Sequence, residues 1–222
     1  MMVKIKICGI TETEHALAAS EAGADFIGLV FALSPRRITI EKAAQIINRV
    51  RSLKHPPKIV GVFVNSDASD LNRIAKTLSL DFVQLSGEES WEYCKIVEYP
   101  IIKAIHVSSP DSFDSIVQKI STGLSSLPDG KFICLLDTKV GDTYGGTGKT
   151  FDWQIAKRIC QQFKVIIAGG LTPDNVVTLL KETRPFGVDV SSGVETAGKK
   201  DVNKIIRFIQ AVREAEICFV DR

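Results

Sequence analysis

One rhythm constrains this chain more than any single motif. Short, β-branched apolar runs alternate with amphipathic helical stretches from end to end. The apolar runs fall at residues 3–8, 25–31, 58–64, 81–85, 100–106, 131–136, 164–168 and 187–191. Between them lie helix-like stretches such as 39–52, 67–79 and 201–216. Leu71, Ile74, Ala75 and Leu78 recur at the three-four spacing of a core-facing stripe. Phe132-Ile133-Cys134-Leu135-Leu136 is apolar on both faces, as a parallel strand covered by helices must be. Eight such units in 222 residues predict an α/β fold, a single (β/α)8 TIM barrel. A doubly wound open sheet is the structural alternative. It usually carries a glycine fingerprint after its first strand, and Cys8-Gly9-Ile10-Thr11 is not one. His55-Pro56-Pro57 and the stretch 125–130 read as loops into strands, so residues 1–222 are expected to form one domain.

Composition narrows the function classes. The chain is 45% hydrophobic and 24% charged with a net charge of +2, so it has no basic stripe and no nucleic acid is expected as partner. Cysteines 8, 94, 134, 160 and 218 are odd in number and form no CxxC pair, which points to a reducing, cytoplasmic setting. His15, His55 and His106 are isolated, so no metal cluster is expected. No run reaches membrane-spanning length and the N-terminus lacks the apolar core of a signal peptide. The partly apolar tail after Glu216 is left to pack on the barrel or on another chain. A monomer is expected in preference to a homodimer.

In barrels of this kind the reactive face is built by the loops after the strands. Cys8 ends the first apolar run, and Thr11 with Glu14 reads as a helix start with a capping box. The other strand ends carry Arg36-Arg37 just beyond Phe31, Asn65, Gln84 with Ser86, His106, Asp137, Gly169-Gly170 and Ser191-Ser192-Gly193. Among these, the Cys8 thiol and the Asp137 carboxyl exchange protons readily with a sugar-like substrate. A thiolate removes a carbon-bound proton and a carboxylic acid protonates an oxygen. Cationic surroundings would help the first, and burial would keep the second protonated. A buried, inert thiol and a loop-capping carboxylate are the plain alternatives.

Gly169, Gly170, Ser191, Ser192 and Gly193 follow the last two strands, where this fold commonly holds a phosphate on backbone N–H groups. A phosphorylated small molecule is therefore the expected partner. Gly145-Gly146-Thr147-Gly148-Lys149-Thr150 looks like the end of a nucleotide-binding loop, but that pattern needs glycine where Thr143 stands. The segment is read as a flap over the site. His106 is left out as a satisfied structural histidine.

Seven segments then fall into a familiar order: Lys6-Ile7-Cys8-Gly9-Ile10-Thr11, Gly61-Val62-Phe63-Val64-Asn65, Val83-Gln84-Leu85, Leu136-Asp137-Thr138, Tyr144 to Trp153, Ala168-Gly169-Gly170-Leu171 and 189–195. From Val3 to about Ala215 the chain resembles the phosphoribosylanthranilate isomerase family of tryptophan biosynthesis. The resemblance implies one (β/α)8 barrel that catalyses an Amadori rearrangement without metal or cofactor. It makes Cys8 the base at ribose C2 and Asp137 the acid at the ring oxygen. Arg36 would hold the anthranilate carboxylate, and Gly170, Ser192 and Gly193 the phosphate. Asp189 matches a site-lining acid, although it could equally brace the Ser191-Ser192 turn. Gln84 and Ser86 are expected to face substrate. Members usually read Gln-Leu-His-Gly where this chain has Gln84-Leu85-Ser86-Gly87, so an imidazole is lost there. Two rivals remain. One is a related phosphosugar isomerase of histidine biosynthesis, typically with aspartate where Cys8 stands; the other is a degraded, phosphate-binding barrel without catalysis.

Overall fold

The computed structural model describes residues 2–107, 112–137 and 153–220. Eight strands run parallel and pair in chain order: β1 (Lys4–Cys8), β2 (Phe26–Val30), β3 (Lys58–Phe63), β4 (Phe82–Leu85), β5 (Ile101–His106), β6 (Phe132–Asp137), β7 (Val165–Ala168) and β8 (Gly187–Val190). β8 closes on β1, with Lys6 opposite Asp189. Closure leaves no strand edge exposed. Helices α1 (Thr13–Glu21), α2 (Ile40–Arg51), α3 (Ala68–Leu78), α4 (Trp91–Ile96), α5 (Phe113–Ser126), α6 (Trp153–Gln162), α7 (Val176–Thr183) and α8 (Val202–Val220) follow the strands one by one. The fold is the (β/α)8 barrel that the sequence rhythm predicts, and every strand lies within one residue of its expected limits.

The two faces of each strand build two cores. Residues such as Ile5, Ile59, Leu85 and Ile101 face outward and join the helix stripes in one large shell. Inward-facing Phe26, Val60, Ile102, Ala104, Leu135, Ile166 and Ala168 fill the barrel itself. Above that plug the interior turns polar, with Lys6, Gln84 and Asp189 all buried.

Caps place the helices. Thr39, Asp67, Ser90 and Ser112 each accept a backbone N–H in the first turn of α2, α3, α4 and α5. A cap of this kind is worth about 1 kcal/mol. α1 departs from expectation: its N-cap is Glu12, with no side-chain cap bond, and the Thr11–Glu14 box does not form. Gly9 (φ +75°) turns the chain so that Gly9 and Ile10 both donate to the Gly28 carbonyl, and Ile10 is buried. That crossing delays the helix start. At the other end, the residues after Glu216 continue α8 to Val220 instead of forming a separate tail, and Ile217 is exposed.

A small hairpin follows β8. A 3-10 turn at Ser192–Val194 leads into β9 (Glu195–Thr196), which pairs antiparallel with β10 (Lys199–Lys200). Ala197 and Gly198 between them both have positive φ, the signature of the tight turn that suits strand twist. The register sets Lys200 opposite Glu195.

Candidate active site

Cys8 is the last residue of β1 and packs inward with Val30 and Val62. Lys6 precedes it on the same face and is wholly buried, with Nζ 2.9 Å from Asp189 Oδ1. Gly28 of β2 lies across from both. A Cβ there would stand 2.9 Å from Cys8 Sγ and 3.2 Å from Lys6 Nζ, so glycine lets thiol and ammonium share the space. Burial pushes the Cys8 thiol above its ordinary value, while Lys6 and Lys200 pull it down and Asp189 pushes it up. For Lys6, burial favours the neutral amine, but Asp189 and Cys8 together outweigh it and its pKa is raised. Burial also raises Asp189 against the pull of Lys6. The 2.9 Å contact and the raised lysine favour the ionised pair. Asp189 therefore neutralises Lys6 inside the barrel rather than bracing the Ser191-Ser192 turn.

Arg36 reaches this flank from the β2–α2 loop. Its Nε and Nη2 donate to Glu195 Oε1 and Oε2 at 2.6 and 2.7 Å, a bidentate fork. Lys200 Nζ donates to the same Glu195 at 2.6 Å and to the Ser191 carbonyl at 2.9 Å. Burial would raise the Glu195 carboxyl, but Arg36 and Lys200 hold it below its ordinary range. Burial lowers Lys200 against the pull of Glu195. The carboxylate forked by Arg36 is thus one of the chain's own. Arg37 is exposed.

The loops after β7 and β8 touch. A Cβ on Gly193 would collide with the Leu171 carbonyl, so only glycine permits the approach. Gly169 and Gly170 both take positive φ, and Asn175 pins their loop by donating to the Gly170 carbonyl at 2.9 Å. Ser191 Oγ turns away, 3.3 Å from Lys200 Nζ.

The opposite flank is built differently. Asp137 ends β6 with its side chain 27% exposed, and His106 ends β5 directly beside it in register. Nδ1 of His106 is 3.3 Å from Asp137 Oδ2, and Nε2 is 2.9 Å from the Ser86 carbonyl. Gln84 Nε2 donates to Ser86 Oγ at 2.9 Å, while Gln84 Oε1 is buried without a partner among the described residues. Glu89 holds the loop after β4 by accepting from Asn65 N and Gly87 N. Buried Lys103 donates to Glu89 at 2.8 Å and to the Gly87 carbonyl at 2.7 Å. A cavity of about 430 Å³ opens beside this loop, between β5 and the helices, and shares His106 with the mouth. Asp189 is within electrostatic reach of Asp137 and links the flanks.

The structure thus gathers Cys8 and Asp189 on one flank with Arg36 at its rim, and Gln84, Ser86 and Asp137 on the other. It also adds Lys6, Lys200, Glu195 and His106, which the sequence reading did not select. Lys6 and Glu195 lie inside the motifs Lys6-Ile7-Cys8 and 189–195, so that signal was present. The flap expected from Tyr144 to Trp153 lies outside the described residues, except that Trp153 opens α6. Among the described residues there is no cluster of three or more metal-ligating side chains, and no helix is long and apolar enough to cross a membrane.

A closed parallel barrel with ionisable groups gathered at its C-terminal mouth defines the class, a (β/α)8 enzyme. The chain belongs to the N-(5'-phosphoribosyl)anthranilate isomerase family, whose model, described as N-(5'phosphoribosyl)anthranilate (PRA) isomerase, matches residues 5–211. It is 48% identical over 215 residues to the N-(5'-phosphoribosyl)anthranilate isomerase of Dehalococcoides mccartyi, covering 97% of this chain and 98% of that one. The crystal structure of phosphoribosyl anthranilate isomerase from Thermotoga maritima superposes with a TM-score of 0.82 at 39% identity, over 96% of this chain and all of that one. Another isomerase of this kind, solved in complex with reduced 1-(o-carboxyphenylamino)-1-deoxyribulose 5-phosphate, gives a TM-score of 0.79 at 36% identity, over 96% of this chain and 100% of that chain. The chain is an isomerase of this family.

Proposed function

We propose that the chain converts N-(5-phosphoribosyl)anthranilate to 1-(2-carboxyphenylamino)-1-deoxyribulose 5-phosphate in tryptophan biosynthesis, with Cys8 as base and Asp137 as acid. The observation that carries these roles is the contrast in surroundings: a thiol beside a buried ammonium on one flank, and a half-open carboxyl in contact with an imidazole on the other. Asp137 gives its proton to the ring oxygen as the C1–O bond breaks and the anilino nitrogen lone pair forms a C1=N iminium. The Cys8 thiolate takes the C2 proton; the released pair forms the C1=C2 bond of an enolamine and the iminium pair returns to nitrogen. Ketonisation then adds a proton to C1 as the C2 hydroxyl loses one, which leaves C2 as the carbonyl. Each protein group exchanges one proton, so the rearrangement closes by proton transfers alone. Lys6 stabilises the thiolate when it forms. The abutting loops Gly169-Gly170 and Ser192-Gly193, with Ser191 behind them, would hold the phosphate on backbone N–H groups. Arg36 would meet the anthranilate carboxylate, and Gln84 Oε1, with Ser86 beside it, offers a buried acceptor to a substrate hydroxyl. Fixing both substrate ends contributes several kcal/mol by proximity.

We take a monomer as the working unit, and the scattered free thiols suit the cytoplasm. The test is a coupled assay with phosphoribosylanthranilate. Cys8→Ala and Asp137→Asn should each lower turnover by at least about 10²-fold. Near-normal turnover in either variant refutes that residue's role. A wild-type protein that binds the product analogue without turnover would favour the binding-module alternative.

A further inference from the structure

We propose that His106 is a positioning residue for the acid step, forming with Asp137 a one-proton pair whose geometry is fixed by the Ser86 carbonyl. The proposal rests on the acid role given to Asp137 above. His106 and Asp137 are register partners at the ends of β5 and β6, so both side chains point into the mouth. Nε2 lies 2.9 Å from the Ser86 main-chain oxygen. A carbonyl oxygen accepts and never donates, so Nε2 must carry a hydrogen. In the neutral ring Nδ1 is then a lone pair, and it stands 3.3 Å from Asp137 Oδ2. Two bare acceptors that close repel each other. One proton between them removes the conflict, as a carboxylic acid facing imidazole or as a carboxylate facing imidazolium.

This matters because a free aspartic acid, with a pKa of about 3.9, holds few protons at neutral pH, whereas an imidazole titrates near about 6.5. A ring in contact with the carboxyl gives the pair a second place to hold that one proton. The step balances. When Asp137 gives its proton to the ring oxygen, the carboxylate left behind recovers one from solvent or from imidazolium Nδ1–H. The proton taken by Cys8 is later released to solvent. The other charged groups near the ring are Glu89 and Lys103, which neutralise each other at 2.8 Å, and Glu88 and Lys119 around the adjoining cavity. Asp189 on β8 is within electrostatic reach of Asp137. Among the described residues His106 is the titrating group in contact with Asp137.

Two measurements separate this proposal from the acid role itself. The chain has 3 histidines, so the His106 ring can be followed by NMR. In Asp137→Asn its midpoint should fall by roughly one pH unit, with the Nε2–H tautomer in the neutral form; an unchanged midpoint overturns the proposal whatever the enzyme does. His106→Gln keeps a donor toward Ser86 but cannot titrate. In single turnovers its loss should grow with pH, smallest toward acid pH, where the carboxyl itself recovers protons, and at least about tenfold at about pH 8. An equal loss at every pH would mean packing alone, and overturns the proposal. Near-normal turnover of Asp137→Asn would instead remove the acid role while leaving the NMR coupling intact.

Discussion

The two flanks of the barrel mouth solve opposite problems. Around Cys8 the protein is dense and dry: Lys6 is wholly buried, Asp189 and Lys200 nearly so, and Glu195 ties Arg36 to the hairpin. Around Asp137 it is half open, with side-chain exposures of 27% and 30% for Asp137 and His106. A thiolate in a dry site needs a built-in cation, because burial alone pushes the thiol up. On the proposed roles, a carboxyl that delivers a proton needs a neighbour that returns one. Charge would then be supplied by buried ion pairs on the first flank and by the His106 ring on the second.

The sharpest way to break the contrast is at sulfur. Cys8→Ala should cost at least about 10²-fold in turnover, while Cys134→Ala should leave turnover per folded molecule unchanged. Both thiols are buried and raised by desolvation, but Cys8 alone of the two has Lys6 and Lys200 acting on it. Equal losses in the coupled assay would mean that Cys8 is packing.

Next is the cation. Lys6→Met strands the Asp189 carboxylate inside the barrel and should destabilise the fold by about 3–5 kcal/mol in denaturant titration. It should also move the rising limb of the pH–rate profile upward, because thiolate formation loses its main electrostatic support. A Lys6→Met/Asp189→Leu double variant should regain stability without regaining that limb. Recovery of both would place Lys6 in packing alone.

A smaller effect is expected at the clamp. Glu195→Gln releases Arg36 and Lys200, and should raise KM by about tenfold with little change in kcat, since the clamp positions a binding group. Glu195 is held below its ordinary value of 4.5, so its stabilisation is fully present above that pH and is lost as pH falls through the lower, folded value. A pH-stability curve of the variant that still drops with the wild type below about pH 4.5 would assign the acid loss elsewhere.

The same contrast marks what the sequence could reveal. Strand ends were legible because the apolar runs have one period and few places to stop, which put Cys8, Asp137 and the two glycine loops on one face. The Arg36–Glu195 fork joins residues 159 apart, and no periodic signal carries such a pair. Lys200 was hidden by the hairpin, whose Ala197-Gly198 turn places a non-glycine residue at positive φ, a weak local cue. The α1 cap was misplaced because the backbone crossing at Gly9 and Ile10 is a tertiary event, invisible to a four-residue capping pattern. Sequence alone gives His106 no partner, because that partner depends on β5–β6 register, although both residues close their strands.

Ser86 gives the finest test of the comparison. Where the family usually carries an imidazole at this position, the serine hydroxyl here accepts from Gln84 at 2.9 Å, and its carbonyl holds His106. An imidazole, that of His106, stands one strand across from Ser86, at the end of β5. Ser86→His would set a second ring beside the first and take the acceptor from Gln84, while leaving the main-chain oxygen in place. Turnover should therefore change by less than about tenfold, because the Asp137 contact survives. In a His106→Gln background the same substitution should recover part of the loss at alkaline pH, since a ring at position 86 can again hold a proton near the carboxyl. A large loss from Ser86→His alone would mean that the Gln84–Ser86 bond, not the His106 ring, organises this flank.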